Sequence, residues 1–226
     1  MRAVIEVTDA GVQVQTQGPD GAVICKAVSA RDLGRAFAED LTLDSGWLGP
    51  GVRRFAEEGG TVRLLVEDPP MVRTLRYEHT ILNGVPTPRC VFAFRMRNGS
   101  LETARLAVCA EVVPPDMQWI PRDATPLARF PFPNVFQDTK ICWGRDAVPS
   151  VSITTVAGLV SHFWNMPFNH DLSHIGVPGR WRDEAPPQGG ALMRKLADVY
   201  RREHTFPRDL LVGMGTLGEW WAGGSA

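Results

Sequence analysis

A proline-rich loop, residues 131–144, constrains the fold of this chain more than any other segment. Pro131 and Pro133 stand two residues apart, and proline lacks a backbone N–H and has a fixed φ. Neither a regular helix nor a central strand can therefore run through this segment. We expect an irregular loop that carries Asn134 back toward Cys142, which follows it by eight residues.

The combination of an amide and a thiol indicates chemistry at this loop. A side-chain amide held beside a cysteine can donate hydrogen bonds to the oxyanion of a tetrahedral acyl intermediate. The competing interpretation is structural, because a free cysteine is usually a small core hydrophobe. Cys142 taken alone favours the structural interpretation, and the residues around it favour the catalytic one.

The sequence around Cys142 resembles the active-site signature of ubiquitin-conjugating enzymes. That signature reads His-Pro-Asn, then Ile or Val, a short linker, and Gly-x-Ile-Cys-Leu. In this chain residues 133–135 read Pro-Asn-Val and residues 139–142 read Thr-Lys-Ile-Cys, with the same spacing from asparagine to cysteine. The resemblance implies an α+β fold of the ubiquitin-conjugating type, in which helices pack on an antiparallel β-meander.

Two later segments resemble the same family in the same order. Residues 154–161 are similar to the start of the helix after the family's cysteine, and residues 166–172 to the loop that overhangs its thiol. Phe132 stands where the family has histidine, Thr139 where it has glycine and Trp143 where it often has leucine. In these departures the chain is more similar to the divergent prokaryotic branch, in particular to the protein B family of the PRTRC plasmid and mobile-element cassettes.

The resemblance implies that Cys142 carries a ubiquitin-like modifier as a thioester and transfers it to an amine. Asn134 and Asp171 complete the implied catalytic set. Asn134 stabilises the oxyanion or fixes the loop, and Asp171, or alternatively His170, desolvates or deprotonates the attacking amine. The implied substrate-binding residues are Lys140, Trp143 and His170. The implied partners are the modifier, an adenylating enzyme of the ubiquitin-activating type, and a JAB-type peptidase from the same gene cluster. We expect no cofactor and no metal.

Two other functions stay open. One is a catalytically inactive, ubiquitin-conjugating-like binding module, which the departures at Phe132 and Thr139 favour. The other is a cysteine hydrolase, which needs a histidine base near the thiol; the candidates are His162, His170 and His174. These histidines lack the carboxylate or cysteine spacing of a familiar metal site. The match of residues 213–218 to Gly-x-Gly-x-x-Gly has no βαβ context, and we interpret it as accidental.

Composition argues against several other functions. The 24 basic and 25 acidic side chains give a net charge of −1, whereas nucleic-acid binding needs concentrated positive charge. No apolar run reaches the roughly 20 residues of a membrane span, and the N-terminus has no signal-peptide pattern, so we expect a cytoplasmic protein. Cys25, Cys90 and Cys109 lie far apart among apolar, strand-like residues, which predicts core packing rather than zinc or redox pairing.

We expect two domains, an N-terminal extension over residues 1–50 and a ubiquitin-conjugating-like domain over residues 51–226. The extension alternates apolar and polar residues, which predicts a hairpin or a three-stranded meander. A short helix near residues 30–41 should follow, with Ser29 as its N-cap. The glycine-rich run at residues 46–51 is the predicted boundary.

The C-terminal domain should contain a four-stranded antiparallel sheet with helices on one side. The Asn98-Gly99 pair predicts a two-residue hairpin turn between the last two of these strands. The predicted strands cover residues 61–67, 71–77, 89–97 and 101–113, and the predicted helices lie near residues 153–165 and 189–203.

Overall fold

The computed structural model describes most of the chain and divides it into two compact units, residues 1–46 and 47–226. The predicted boundary after residue 50 stays a prediction. Each unit has β-sheet structure of its own. The described residues are 2–8, 11–17, 23–29, 51–58, 60–113, 119–144, 148, 155–172 and 189–223.

The N-terminal unit contains three strands, β1 (Arg2–Thr8), β2 (Gly11–Gln17) and β3 (Val23–Val28). They form an antiparallel sheet in the order β1-β2-β3, which confirms the predicted meander. The predicted helix near residues 30–41 lies outside the described residues. Cys25 is exposed in the edge strand β3, so the prediction that it packs in a core is wrong. Alternation identifies the two faces of a strand without showing which face is covered.

The C-terminal unit is built around a larger sheet, a separate hairpin and three described helices. The strands of the sheet are β4 (Val52–Glu58), β5 (Thr61–Asp68), β8 (Cys90–Arg97), β9 (Ser100–Cys109), β10 (Pro126–Ala128) and β11 (Gly213–Thr216). The hairpin pairs β6 (Met71–Tyr77) with β7 (Thr80–Thr87). The helices are α1 (Ala157–Asn165), α2 (Gly189–Glu203) and α3 (Leu217–Gly223). None of these three helices combines the length and apolar character needed to cross a membrane.

The order of the larger sheet is β11-β10-β9-β8-β5-β4, with every neighbouring pair antiparallel. The hairpin of β8 and β9 is confirmed: Arg97 pairs with Ser100 across a turn in which Asn98 has φ 51° and Gly99 has φ 76°. Positive φ at both central residues is the geometry of a type I′ turn.

The prediction of four strands in one sheet is wrong, because the sheet has six strands and β6 pairs with β7 instead of joining it. The sequence of β7 contains an Asn-Gly pair and a proline, which are turn and edge signals. Strands β10 and β11 span only three and four residues, too short for a periodic pattern to show.

Alternate residues of the central strands point to opposite faces of the six-stranded sheet. On one face Leu64, Phe92 and Leu106 are fully buried in the larger hydrophobic core, which includes side chains of α1 and α2. Phe163 of α1 packs edge-on against Phe92, with ring centroids 5.6 Å apart. Each such side chain contributes about 1.5–3 kcal/mol of hydrophobic stabilisation.

The opposite face carries a second, smaller core. Leu65, Val91 and Ala107 are buried there together with Trp220 and Trp221 of α3. The prediction that helices pack on one side of the sheet is therefore wrong for α3. Both faces are covered because the central strands carry apolar residues at consecutive positions.

The start of α3 explains the glycine-rich match at residues 213–218. The backbone N–H and the hydroxyl of Thr216 donate to a Glu219 carboxylate oxygen at 2.9 and 2.8 Å, and the Glu219 N–H returns to the Thr216 hydroxyl at 3.4 Å. This is a capping box, and the hydrogen bonds from Thr216, the backbone N–H first, lower the pKa of Glu219. The segment ends a strand and begins a helix.

Candidate active site

Residues 134–142 form a tight, irregular hairpin. Val135 and Ile141 pair as an isolated antiparallel bridge. At the open end of the hairpin the Cys142 N–H donates to the Asn134 carbonyl oxygen at 2.8 Å. The fold thus brings the backbones of Asn134 and Cys142 together.

The hairpin is attached to the larger sheet through β9. The Leu106 N–H donates to the Thr139 carbonyl and the Ile141 N–H to the Ala104 carbonyl, each at 2.9 Å. Strand β10 pairs with β9 only at residues 108–109, so the preceding part of β9 takes the hairpin as its neighbour. A rigid central strand therefore positions the residues that precede the cysteine.

Asn134 joins the hairpin to the loop after α1. Asn134 is 6% exposed and has φ 67°. This is a left-handed conformation, which asparagine tolerates better than most residues. The side-chain Nδ2 donates to the Pro167 carbonyl oxygen at 3.0 Å. An amide nitrogen carries two N–H donors, so this bond uses one and orients the other.

Cys142 differs from the other two cysteines of the C-terminal unit in its exposure. Cys90 and Cys109 are buried, whereas Cys142 is half-buried. Burial raises the pKa of both the Cys90 and the Cys109 thiol. Because the thiolate is the nucleophile, Cys142 is the cysteine of this unit that suits reaction with a partner.

Trp143 anchors the chain after Cys142 to helix α1. Its ring lies 5.8 Å from the His162 ring and meets the Phe163 ring edge-on at 6.5 Å. The His162 Nε2 atom is buried and has no hydrogen-bond partner among the described residues. The side chain of Trp143 thus fixes the position of the segment that follows the cysteine.

Loop residues 166–172 pack against the end of β6. The Phe168 N–H donates to the Arg76 carbonyl at 2.8 Å, and the Glu78 N–H donates to the Phe168 carbonyl at 2.7 Å. This pairing holds the carbonyl of the neighbouring Pro167, which receives the Asn134 amide. The loop that carries the predicted residues His170 and Asp171 is therefore connected to the hairpin.

His170 and Asp171 are both exposed on that loop. The Nδ1 atom of His170 lies 2.9 Å from a Glu78 carboxylate oxygen, and its Nε2 lies 3.6 Å from an Asp171 oxygen. The Glu78 hydrogen bond, and secondly the Asp171 charge, raise the pKa of His170. An imidazolium is therefore favoured at this position.

Lys140 lies on the exposed tip of the hairpin, in a pair with Asp138. Its Nζ is 3.0 Å from one Asp138 carboxylate oxygen, and its backbone N–H donates to the other at 3.1 Å. An exposed pair of this kind contributes little stability. The lysine side chain is free to exchange this partner for a ligand.

The model of prokaryotic E2 family D matches residues 58–214, more than half of the chain. E2 proteins are the ubiquitin-conjugating class. The chain belongs to prokaryotic E2 family D. The matched region contains the whole hairpin 134–142 and both helices α1 and α2, and the α+β architecture with its curled antiparallel sheet is compatible with an E2-like fold. No curated protein and no solved structure gives a significant match.

Phe132 occupies the position at which ubiquitin-conjugating enzymes carry histidine. It is 1% exposed, and its ring packs edge-on against Phe130 with centroids 5.3 Å apart. In this member of the E2-like family, apolar packing therefore holds the chain before Asn134.

Thr139, which aligns by resemblance with the glycine of the ubiquitin-conjugating signature, has φ 71°. Glycine adopts such angles freely, whereas a β-branched residue rarely does. Its hydroxyl accepts hydrogen bonds from Arg105 Nε at 3.1 Å and Trp220 Nε1 at 2.9 Å. Sequence analysis missed these contacts: the replaced glycine signals a positive φ, but the partners lie 34 and 81 residues away.

Within the part of the chain that the structure describes, the histidines considered for a metal or hydrolase site do not gather into a set of metal ligands. Among the described residues, no three His, Cys, Asp or Glu side chains come together as a metal ligand set. His170 is engaged with Glu78 on an exposed loop, and His174 lies outside the described residues.

Proposed function

We propose that this protein is a ubiquitin-conjugating-like transferase that carries a ubiquitin-like modifier as a thioester on Cys142. The observation that carries the proposal is the site geometry within an E2-like chain. A half-buried cysteine ends a sheet-anchored hairpin in an E2-like chain, and its N–H donates to the carbonyl of Asn134.

The proposed reaction is two successive acyl transfers. The Cys142 thiolate attacks the thioester carbonyl that links the modifier to the adenylating enzyme, and the enzyme's thiolate leaves. An amine then attacks the new thioester, an amide bond forms, and the Cys142 thiolate leaves with the amine proton going to a base. Each step passes through a tetrahedral oxyanion.

Asn134 has a double role in this proposal. Its amide is fixed by the Pro167 carbonyl, so its second N–H is preorganised instead of freely rotating. A preorganised donor stabilises an oxyanion without reorganisation during the reaction. Anchoring the loop and donating to the oxyanion are compatible because the amide nitrogen has two hydrogens.

Asp171 is the proposed group that acts on the attacking amine. An amine with a pKa near 10 is mostly protonated at neutral pH, so a nearby carboxylate helps to attract it and remove its proton. The pKa of His170 is raised by Glu78 and Asp171, which favours a binding role for the imidazolium. Lys140 and Trp143 are proposed to orient the modifier's tail beside the cysteine.

The proposed partners are a ubiquitin-like modifier and an adenylating enzyme, with a JAB-type peptidase from the same gene cluster. They follow from the resemblance of the Phe132 and Cys-Trp-Gly features to the PRTRC protein B family. This assignment would be supported if the adjacent genes encoded an adenylating enzyme and a small protein that ends in glycine.

A second candidate is a catalytically inactive E2-like binding module. The burial of Phe132 in place of the histidine favours it. The half-buried Cys142 with Asn134 in place favours catalysis instead.

Mixing the protein with its neighbouring adenylating enzyme, the modifier and ATP separates the two candidates. Catalysis predicts a higher-mass species on a non-reducing gel that a thiol reductant removes. A modifier that binds the protein but never forms this species would identify the binding module.

A further inference from the structure

The Thr139 hydroxyl joins three elements at the candidate active site. Arg105 on β9 donates its Nε–H to the Thr139 Oγ1 at 3.1 Å, and Trp220 on α3 donates its indole N–H to the same oxygen at 2.9 Å. Arg105 Nη1 also donates to the Trp220 carbonyl at 2.8 Å, and its guanidinium lies 4.8 Å from the indole centroid. The three side chains form a closed ring of contacts.

The backbone of Thr139 is strained, and hydrogen bonds to its backbone and its hydroxyl hold it in that conformation. A β-branched residue at φ 71° is an outlier that persists only when its surroundings hold it. The residue is 4% exposed, its N–H donates to the Phe136 carbonyl, and its carbonyl accepts from the Leu106 N–H, both at 2.9 Å. The backbone N–H, the carbonyl and the hydroxyl oxygen of Thr139 are all hydrogen-bonded, and these bonds hold the turn at this position.

We propose that Thr139 is a positioning residue, whose hydroxyl must be held by Arg105 and Trp220 for the hairpin to present Cys142 to an acyl donor. The inference rests on the proposed thioester function of Cys142. Thr139 sets the turn, and the bond from the Cys142 N–H to the Asn134 carbonyl closes the same hairpin. A glycine would permit several turn conformations, whereas the clamped threonine permits one.

The ring also connects helix α3 to the cysteine. Trp220 is buried in the smaller core on the far face of the sheet, so a change in the position of α3 moves a donor of Thr139. Helix α3 therefore helps to position Cys142, because its Trp220 holds Thr139 in the hairpin turn.

Three single variants test the ring. Thr139→Val keeps the shape and removes the acceptor, Thr139→Ser keeps the hydroxyl, and Trp220→Phe removes one donor. The matched control is Thr103→Val, a half-buried threonine on the same strand as Arg105. Two measurements apply to each variant: hydrogen exchange of the Cys142 amide in the isolated protein, and the rate of thioester loading.

The proposal predicts that Thr139→Val speeds exchange of the Cys142 amide and lowers the loading kcat, each by about tenfold, as expected for loss of one to two hydrogen bonds. The KM for the loaded donor should stay unchanged. Thr139→Ser should behave like the natural protein. Trp220→Phe should have little further effect in a Thr139→Val background, because the acceptor is already gone.

Natural exchange and loading in Thr139→Val, or equal effects in Thr103→Val, would overturn the positioning role. Hydrogen exchange of the Cys142 amide needs no partner protein, so it tests the ring of contacts independently of the thioester function. If the natural protein never loads while the exchange pattern holds, the ring stands as a structural clamp and both the thioester function and the positioning role are rejected.

Discussion

The open end and the turn of the hairpin 134–142 each contain a residue with a positive φ, and the two angles are held in different ways. Asn134 has φ 67° and Thr139 has φ 71°. Asparagine is one of the residues that visit the left-handed region, whereas threonine is strained there. The side-chain amide of Asn134 donates one hydrogen bond to the adjacent loop, whereas the Thr139 hydroxyl accepts hydrogen bonds from side chains of β9 and α3.

The difference separates chemistry from geometry within one hairpin. The side-chain amide of Asn134 can hydrogen-bond to an acyl intermediate, because the backbone conformation of asparagine at this position needs little support from other residues. At the Thr139 end the hydroxyl oxygen already accepts two hydrogen bonds, so the contribution of this residue is the shape of the turn. Variants at the two ends should therefore fail in different measurements.

The largest effect is expected at the Asn134 end. Asn134→Ala should slow transfer from preloaded Cys142 to a free amine by about 100-fold, or roughly 3 kcal/mol, the usual loss of one oxyanion donor. Thioester loading should be retained better than transfer. Asn134→Gly is the matched control, because it removes the amide and tolerates the positive φ. Loading, transfer and melting temperature that decline in step would make Asn134 purely structural.

The next effect is on stability at the Thr139 end. Thr139→Val should lower the free energy of unfolding by about 2 kcal/mol, because two buried donors lose their acceptor. Thr139→Gly should lose less, since it relieves about 1 kcal/mol of backbone strain. Urea unfolding of both variants gives the comparison. A glycine variant that is the less stable of the two would show that the strain relieved is smaller than the entropic cost of glycine in the unfolded chain.

A smaller effect should reach the Thr139 end through the start of α3. Thr216→Ala should cost about 1 kcal/mol, the usual value for a lost N-cap hydroxyl. The exchange of the Trp220 indole N–H reports on the ring and should become faster. The bond between Asn134 and Pro167 should be unaffected, so equal loosening at both ends would refute the separation.

The smallest effect is a pH dependence at the loop that receives Asn134. Glu78, and secondly Asp171, raise the folded-state pKa of His170. The ion pairs therefore stabilise the fold fully below the unfolded value, about 6.5, and this contribution is lost as the pH rises through the folded value. His170→Gln should remove that part of the pH profile of unfolding. An unchanged profile would show that these exposed pairs are energetically silent.

Local signals were sufficient for part of the fold. The hairpin of β8 and β9 is predictable because Asn98-Gly99 specifies its turn, and the apolar periodicity of α1 and α2 predicts two helices. The partner of β6 and the covering of the second face by α3 depend on contacts between distant residues. Short strands and glycines around α3 leave no periodic pattern to detect.

The candidate site shows the same limit. The proline pair and the Asn134–Cys142 spacing are readable in the sequence, and so is the glycine position taken by Thr139. The Pro167 carbonyl and the Trp220 indole are not readable, because only tertiary packing brings them to the hairpin. That one acyl group can contact the side chains of both Asn134 and Cys142 stays a prediction.

The identity of the covalent nucleophile tests the account most directly. The protein and its Cys142→Ser variant are each incubated with the activating enzyme, modifier and ATP, and intact masses are measured before and after a thiol reductant. We expect a reducible adduct on the natural protein and a slower, reductant-resistant oxyester on the serine variant. Cys25→Ser, which changes an exposed cysteine in the other unit, should load normally. A reducible adduct that persists in Cys142→Ser would contradict the account.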